Sequence, residues 1–212
     1  MATLLDSGAA AIEHLSKDPV MASVIANVGE FRGWPPSDNP FRALSRSVIF
    51  QQLSGKAAGT IFRRFIGIWG LEDEAFPEPA QVLSATEEEL RSAGLSRQKM
   101  ASVRSLAEHF GSGELSLDHF HEWDDEEIIA HLTRVRGVGR WTAEMFLMFH
   151  LGRPDVLPVN DVGINRAMMK QYGLPALPKP PEVIAIGERW HPWATVACWY
   201  LWRSEDVAAP GD

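Results

Sequence analysis

The sequence predicts an all-α fold, on three observations. Apolar residues recur at helical spacing along most of the chain, Phe41, Leu44, Val48 and Ile49 forming one such stripe. Helix-start signals are frequent: Asn39 before Pro40, Ser54 and Ser96, with Thr86–Glu89 and Asp124–Glu127 at capping-box spacing. Alternating strand patterns and strand–helix–strand units are missing. The result is about ten short helices joined by links of roughly two to eight residues.

The elements follow in order. AAIEHLSK and PVMASVIANVG read as two N-terminal helices. Asn39-Pro40 opens FRALSRSVIFQQL, and Ser54 opens GKAAGTIFRRFIGIW, which Gly70 stops. Thr86 starts a short helix, and Ser96 caps QKMASVRSLAEHF, which ends at Gly111. A helix over Asp125–Val135 meets the tight turn Arg136-Gly137-Val138-Gly139, and the next helix begins at about Arg140. VGINRAMMKQY follows Asp161, and EVIAIGERW and PWATVACWYLWRS close the fold after Pro180. The tail VAAPGD reads as frayed. Proline and glycine concentrate only around Gly33–Pro40 and Gly173–Pro181, the places where the chain would cross between two lobes.

Composition excludes several classes. At 212 residues, 45% apolar and 23% charged, the chain is neither disordered nor collagen-like. No run approaches the ~20 apolar residues of a membrane span, and no basic stretch precedes the apolar N-terminal residues as in a signal peptide, so a cytoplasmic location is expected. The single cysteine, Cys198, excludes a disulfide framework, a cysteine-ligated iron–sulfur cluster and a structural zinc site, and in ATVACWYLW it reads as an inert core residue. The net charge of −8 argues, taken alone, against nucleic acid as a partner. Seven acids fall between Glu114 and Glu127, however, and Arg134, Arg136, Arg140 and Arg153 follow against Glu144 and Asp155. A locally basic surface therefore stays open.

The stretch from Asp124 to Lys170 carries the chemistry. Two glycines flanking Val138 suit a hairpin whose backbone needs unusual φ values and leaves no room for side chains. The amides of Gly137, Gly139 and the first turn near Thr142 then point outward without intrahelical partners, a ready anion site. A DNA phosphate is the obvious anion, held without regard to base sequence. The plainer alternative is a structural turn whose glycines only permit close packing.

L-x-x-V-R-G-V-G-R-W-T-A-E-M followed by P-V-N-D-V-G resembles the helix-hairpin-helix glycosylase superfamily, and within it the alkylpurine branch, 3-methyladenine DNA glycosylase II. The resemblance runs from Phe41 to Trp202. It implies a two-lobed helical core with the active-site cleft between lobes, lobe 1 at about 1–38 plus 162–212 and lobe 2 at about 39–161 with the hairpin at 124–150. Larger members carry an N-terminal α/β domain; here the residues before Phe41 read as helices that pack with the C-terminal ones. The resemblance makes Asp161 the catalytic carboxylate and gives the amides of Gly137, Gly139 and Thr142 to a phosphate. It gives the carbonyls of Thr133, Val135 and Val138 to a Na+ or K+ ion, with no catalytic cofactor. Trp141 stands where strand-cleaving members carry a lysine, so no Schiff base forms and a monofunctional glycosylase acting on alkylated duplex DNA is implied; a monomer is assumed.

The chemistry agrees. An N3- or N7-alkylated purine is already cationic and leaves as a neutral base, so the costly species is the oxocarbenium-like sugar, which one carboxylate can stabilise while orienting water. Alternatively Asp161 is merely the N-cap of the following helix, unless Asn160 takes over that role. Eight tryptophans stand among the aromatic residues. An indole wall would hold a cationic base by about 0.5–2 kcal/mol. Trp141 and Trp193, the latter in R-W-x-P-W, are the candidates; Trp199 and Trp202, three apart in an apolar helix, read as core. Gln51 and Gln52 either face the flipped base or satisfy buried backbone groups. In the turn Gly94-Leu95-Ser96-Arg97, Leu95 or Arg97 is the candidate wedge that fills the gap left by base flipping. Few basic residues face phosphates, so weak binding is expected. The competing readings are a non-catalytic DNA-binding module built on the same hairpin, and a glycosylase of the same superfamily for another lesion.

Overall fold

Caps and glycines cut the chain into twelve α-helices among the described residues, with no strand. The computed structural model describes residues 8–34, 39–72, 75–115, 117, 120 and 122–205. The tail VAAPGD lies outside them. The helices are α1 (Gly8–Leu15), α2 (Pro19–Val28), α3 (Pro40–Phe50), α4 (Gly55–Gly67), α5 (Pro79–Ser84), α6 (Glu87–Ser92), α7 (Arg97–Ser112), α8 (Asp125–Leu132), α9 (Arg140–Phe149), α10 (Val162–Gln171), α11 (Pro180–Gly187) and α12 (Ala194–Ser204).

Local chemistry sets most boundaries. Asn39, Ser54, Ser96 and Asp124 accept the expected backbone hydrogen bonds, and Thr86–Glu89 and Asp124–Glu127 close reciprocal capping boxes. Some helix ends differ from expectation, α4 among them, which stops at Gly67. α3 ends at Phe50, before the two glutamines. α7 runs through Gly111 and stops at Gly113, whose φ of 77° is left-handed. α8 stops at Leu132 rather than Val135, because the amides of Arg134 and Val135 turn back to the carbonyls of His131 and Leu132 in tighter three-residue turns. The helix expected over EVIAIGERW is α11 followed by a 3-10 turn at Glu188–Trp190, and α12 starts at Ala194 because Asp155 Oδ1 accepts its amide at 3.1 Å. Proline-led α5 was not foreseen.

The chain divides into two compact units, one formed within Met1–Pro36 and Leu147–Asp212, the other within Ser37–Phe146. The first crossing falls in the proline-rich stretch. The second falls inside α9, not at 161, so Asp161 belongs with the C-terminal helices rather than with the hairpin. In the unit holding the termini, α1 and α2 pack against α12, as expected. Trp199 Nε1 donates to Gly33 O at 3.1 Å, Tyr200 Oη donates to Gly29 O at 3.1 Å, and Cys198 is fully buried among these apolar residues. In the other unit α3, α4, α5 and α7 enclose a ring cluster of Phe41, Phe62, Phe65 and Phe76. Among the described residues no helix is long and apolar enough to cross a membrane.

Candidate functional site

The hairpin between α8 and α9 is shaped by one glycine and left open by the other. Gly137 has φ 84°, and a Cβ there would lie 1.9 Å from Ser102 Oγ, so neither conformation nor space admits a side chain. Gly139 has an ordinary φ, and a Cβ on it would meet nothing within 4 Å. The expectation that both glycines hold unusual backbone is corrected: Gly139 is compatible with any residue as the isolated chain stands. Its bareness instead leaves the N-terminal face of α9 open to an approaching group.

Gln51 ties this hairpin to the end of α3. Its Nε2 donates to Gly137 O at 3.0 Å and to Thr142 Oγ1 at 2.7 Å. Of the two expected roles for Gln51, satisfying buried groups is the one observed. Gln52 is exposed and has φ 57°, left-handed in a residue with a Cβ. Leu53 follows with 39% of its surface exposed. Thr142 is buried, with its amide in the first turn of α9. Arg140, at the helix start, is bound by two carboxylates: its guanidinium forks onto Glu126, and its Nε donates to Glu144 Oε1 at 3.0 Å. The Arg140 bond holds the Glu126 carboxyl below its usual range. With Arg140 so engaged, the hairpin offers an anion its backbone N–H groups beside the exposed Arg134 and Arg136. The carbonyls of Thr133, Val135 and Val138 lie on the same turn, that of Val135 accepting the Val138 amide at 3.1 Å. Among the described residues no cluster of His, Cys, Asp or Glu could hold a metal ion.

In the other unit, Asp161 stands at the N-terminus of α10 and is 6% exposed. Its Oδ1 accepts from Ile164 N at 2.8 Å and from Trp202 Nε1 at 3.0 Å. Asp161, not Asn160, is the N-cap. The cap and the second donor together fix the carboxylate's orientation beside the positive end of the helix. Trp202 packs with Trp34 and Phe149, ring centroids 6.2 and 5.9 Å away. A Cβ on Gly163 would sit 3.1 Å from both Asp161 Oδ1 and the Trp202 indole, which explains the glycine of P-V-N-D-V-G.

The hairpin glycines and Asp161 both lie within a stretch of the chain that resembles known proteins. Residues 45–192 match the family described as HhH-GPD superfamily base excision DNA repair protein. The chain belongs to the HhH-GPD superfamily. DNA-3-methyladenine glycosylase 1 of Schizosaccharomyces pombe is 37% identical over 170 residues, covering 80% of this chain and 74% of that protein. The alkylbase DNA glycosidase-like protein mag2 of the same yeast is 31% identical over 194 residues, covering 90% and 91%. A solved structure of S. pombe 3-methyladenine DNA glycosylase in complex with abasic DNA superposes with a TM-score of 0.84 at 35% identity, covering 93% of this chain and 97% of that one.

Within this HhH-GPD chain the remaining candidates divide. Trp141, in the first turn of α9, and Trp193, just before α12, are each partly exposed and outside the core. Trp193 and Trp202 sit at opposite ends of α12, about 13 Å apart along its axis at 1.5 Å per residue. It is Trp202, read from its spacing as core, that reaches the carboxylate. Leu95 does not fit a wedge: it is 4% exposed. Gly94 has φ 99° and Leu95 N donates back to Leu90 O at 3.4 Å, so Leu95 folds in as the apolar residue closing the end of α6. Arg97 is exposed in the first turn of α7. Leu53, two residues after Gln51, is an exposed apolar side chain that its sequence context did not single out.

Proposed function

We propose that this HhH-GPD protein is a monofunctional DNA glycosylase, releasing N3- and N7-alkylated bases from duplex DNA in base excision repair and acting as a cytoplasmic monomer. The observation that carries the reading is the Asp161 carboxylate, buried and held by the Ile164 amide and the Trp202 indole. The names of the relatives support the same lesion class.

In this reading the open amides of the hairpin, with those of Gly139 and Thr142 foremost, grip a backbone phosphate while the damaged nucleotide is extruded. The N-glycosidic bond breaks with its electron pair going to the base, which was cationic and departs neutral. Positive charge gathers on the sugar, and the fixed carboxylate stabilises it without reorganising. Water then bonds to the anomeric carbon, and its proton passes to Asp161 and on to solvent. Position 141 offers an indole and no amine, so no covalent intermediate forms and the strand stays uncut. The cationic base is held by an indole face, for which Trp141 and Trp193 remain candidates. The carbonyls of Thr133, Val135 and Val138 suit a Na+ or K+ ion, since carbonyl oxygens replace the hydration shell of such ions; it would steady the turn and take no part in the chemistry. Leu53, with Gln52, takes the wedge role from Leu95.

Base release from methylated duplex DNA tests this reading, comparing wild type with Asp161→Asn beside a binding titration. Release of methylated purine with uncut abasic sites, lost in a variant that still binds, is the expected result. Binding without release by the wild type overturns it and favours the non-catalytic module.

A further inference from the structure

Lys99 lies in the first turn of α7, where a cation opposes the helix dipole and does nothing for its own helix. Its ammonium points instead at the end of α3. Nζ donates to Val48 O at 3.1 Å, to Gln51 O at 2.8 Å and to Ile49 O. These carbonyls lie in the last turn and cap of α3, where a cation is favoured, and that of Val48 also accepts the Gln51 amide at 3.4 Å. Burial pulls the ammonium down to about 8.

The same short turn bears the features left unexplained by the core. Gln51 accepts from Lys99 through its carbonyl and grips the hairpin through its side chain. Gln52 is held left-handed, a conformation that persists only where the surroundings over-determine it. Leu53 is then presented outward.

We infer that Lys99 is a positioning residue for base excision: by gathering the last carbonyls of α3 it fixes the Gln51–Leu53 turn, so that Leu53 enters the duplex while Gln51 holds the phosphate-binding hairpin. Lys99 touches neither base nor sugar. Its effect belongs to opening the duplex, and that separates it from a merely stabilising lysine. The inference rests on the glycosylase reading for its rate predictions and on DNA binding alone for its optical one.

The test uses Lys99→Met, which keeps the aliphatic stem and removes all donors, with Lys99→Gln as a milder second variant should the first not fold. Release of methylated purine is measured from duplex DNA and from the same strand unpaired. Alongside it, fluorescence is read from 2-aminopurine beside an abasic-site analogue in a duplex. The variants lose duplex release by roughly ten- to a hundredfold, the scale of a misplaced contact, and keep release from the unpaired strand. They bind the abasic duplex but lose the fluorescence rise that wild type gives, and Leu53→Ala does the same. Equal loss on both substrates, or no loss on either, overturns the inference. If wild type releases no base but still gives a fluorescence rise that the variants lack, the glycosylase reading fails and the role of Lys99 stands. If wild type gives neither, both fail.

Discussion

Asp161 uses one oxygen for two structural purposes, capping α10 and receiving the Trp202 indole, and in the proposed mechanism both serve catalysis by fixing the carboxylate. Trp202→Phe keeps the ring packing and deletes only the N–H. A hydrogen bond to a charged acceptor contributes about 1.5–3 kcal/mol, so thermal unfolding of this variant shows a loss of that order. Base release slows while affinity for an abasic duplex is unchanged, because the indole acts on the carboxylate and not on the phosphate grip. Gly163→Ala presses a methyl against the same pair and costs about 1–3 kcal/mol by overpacking; its release rate falls alongside. Asp161 could be singled out because its spacing after the hairpin is a sequence pattern, and its capping of α10 because a cap is settled within three residues. Trp202 was not, since helical period assigned it correctly to a buried face and period says nothing about where a buried N–H finds its acceptor.

At the level of elements, the two hairpin glycines separate folding from binding. Gly137→Ala meets both a left-handed φ and the Ser102 hydroxyl and destabilises the protein by more than about 2 kcal/mol. Gly139→Ala meets open space and changes stability by less than about 0.5 kcal/mol, yet weakens DNA binding by putting a methyl where the phosphate approaches. Thermal melts and fluorescence anisotropy on both variants check this; equal melting temperatures, or undiminished binding by Gly139→Ala, would refute the division. Caps at Asn39, Thr86, Ser96 and Asp124 were readable because each is settled within three residues of chain. Gln51 was readable only as two alternatives, since the partners that decide between them lie 86 and 91 residues away in sequence. Leu95 misled for a related reason. An apolar residue after a glycine can point either way, and here the back-bond to Leu90 folds it inward while Leu53 takes the exposed position.

For the whole molecule, charge and titration behave differently from a basic DNA-binding domain. With a net charge of −8 and Arg140 already bound by Glu126 and Glu144, weak long-range attraction to DNA is expected, and in the proposed reading backbone amides carry the contact. The unit that holds the termini is tied together by a different polar group. Tyr172 Oη donates to Asp18 Oδ2 at 2.6 Å and accepts from Trp190 Nε1 at 3.2 Å, while Asp18 Oδ1 caps α2. Burial first, and the Asp18 carboxylate second, push the phenol well above its ordinary value, and burial raises Tyr200 in the same direction. The folded state therefore holds these protons more tightly than the unfolded chain, whose tyrosines release them near pH ~10. Their stabilisation is complete below that pH and is lost as pH rises toward the folded values. The melting temperature of wild type accordingly declines above about pH 10. Tyr172→Phe is less stable at neutral pH by about 1.5–3 kcal/mol for the lost bond to a charged acceptor, but its alkaline decline is shallower, with Tyr200 supplying the remainder. Melting curves from neutral to strongly alkaline pH decide the matter, and parallel declines in the two proteins would show that Tyr172 is not the group responsible.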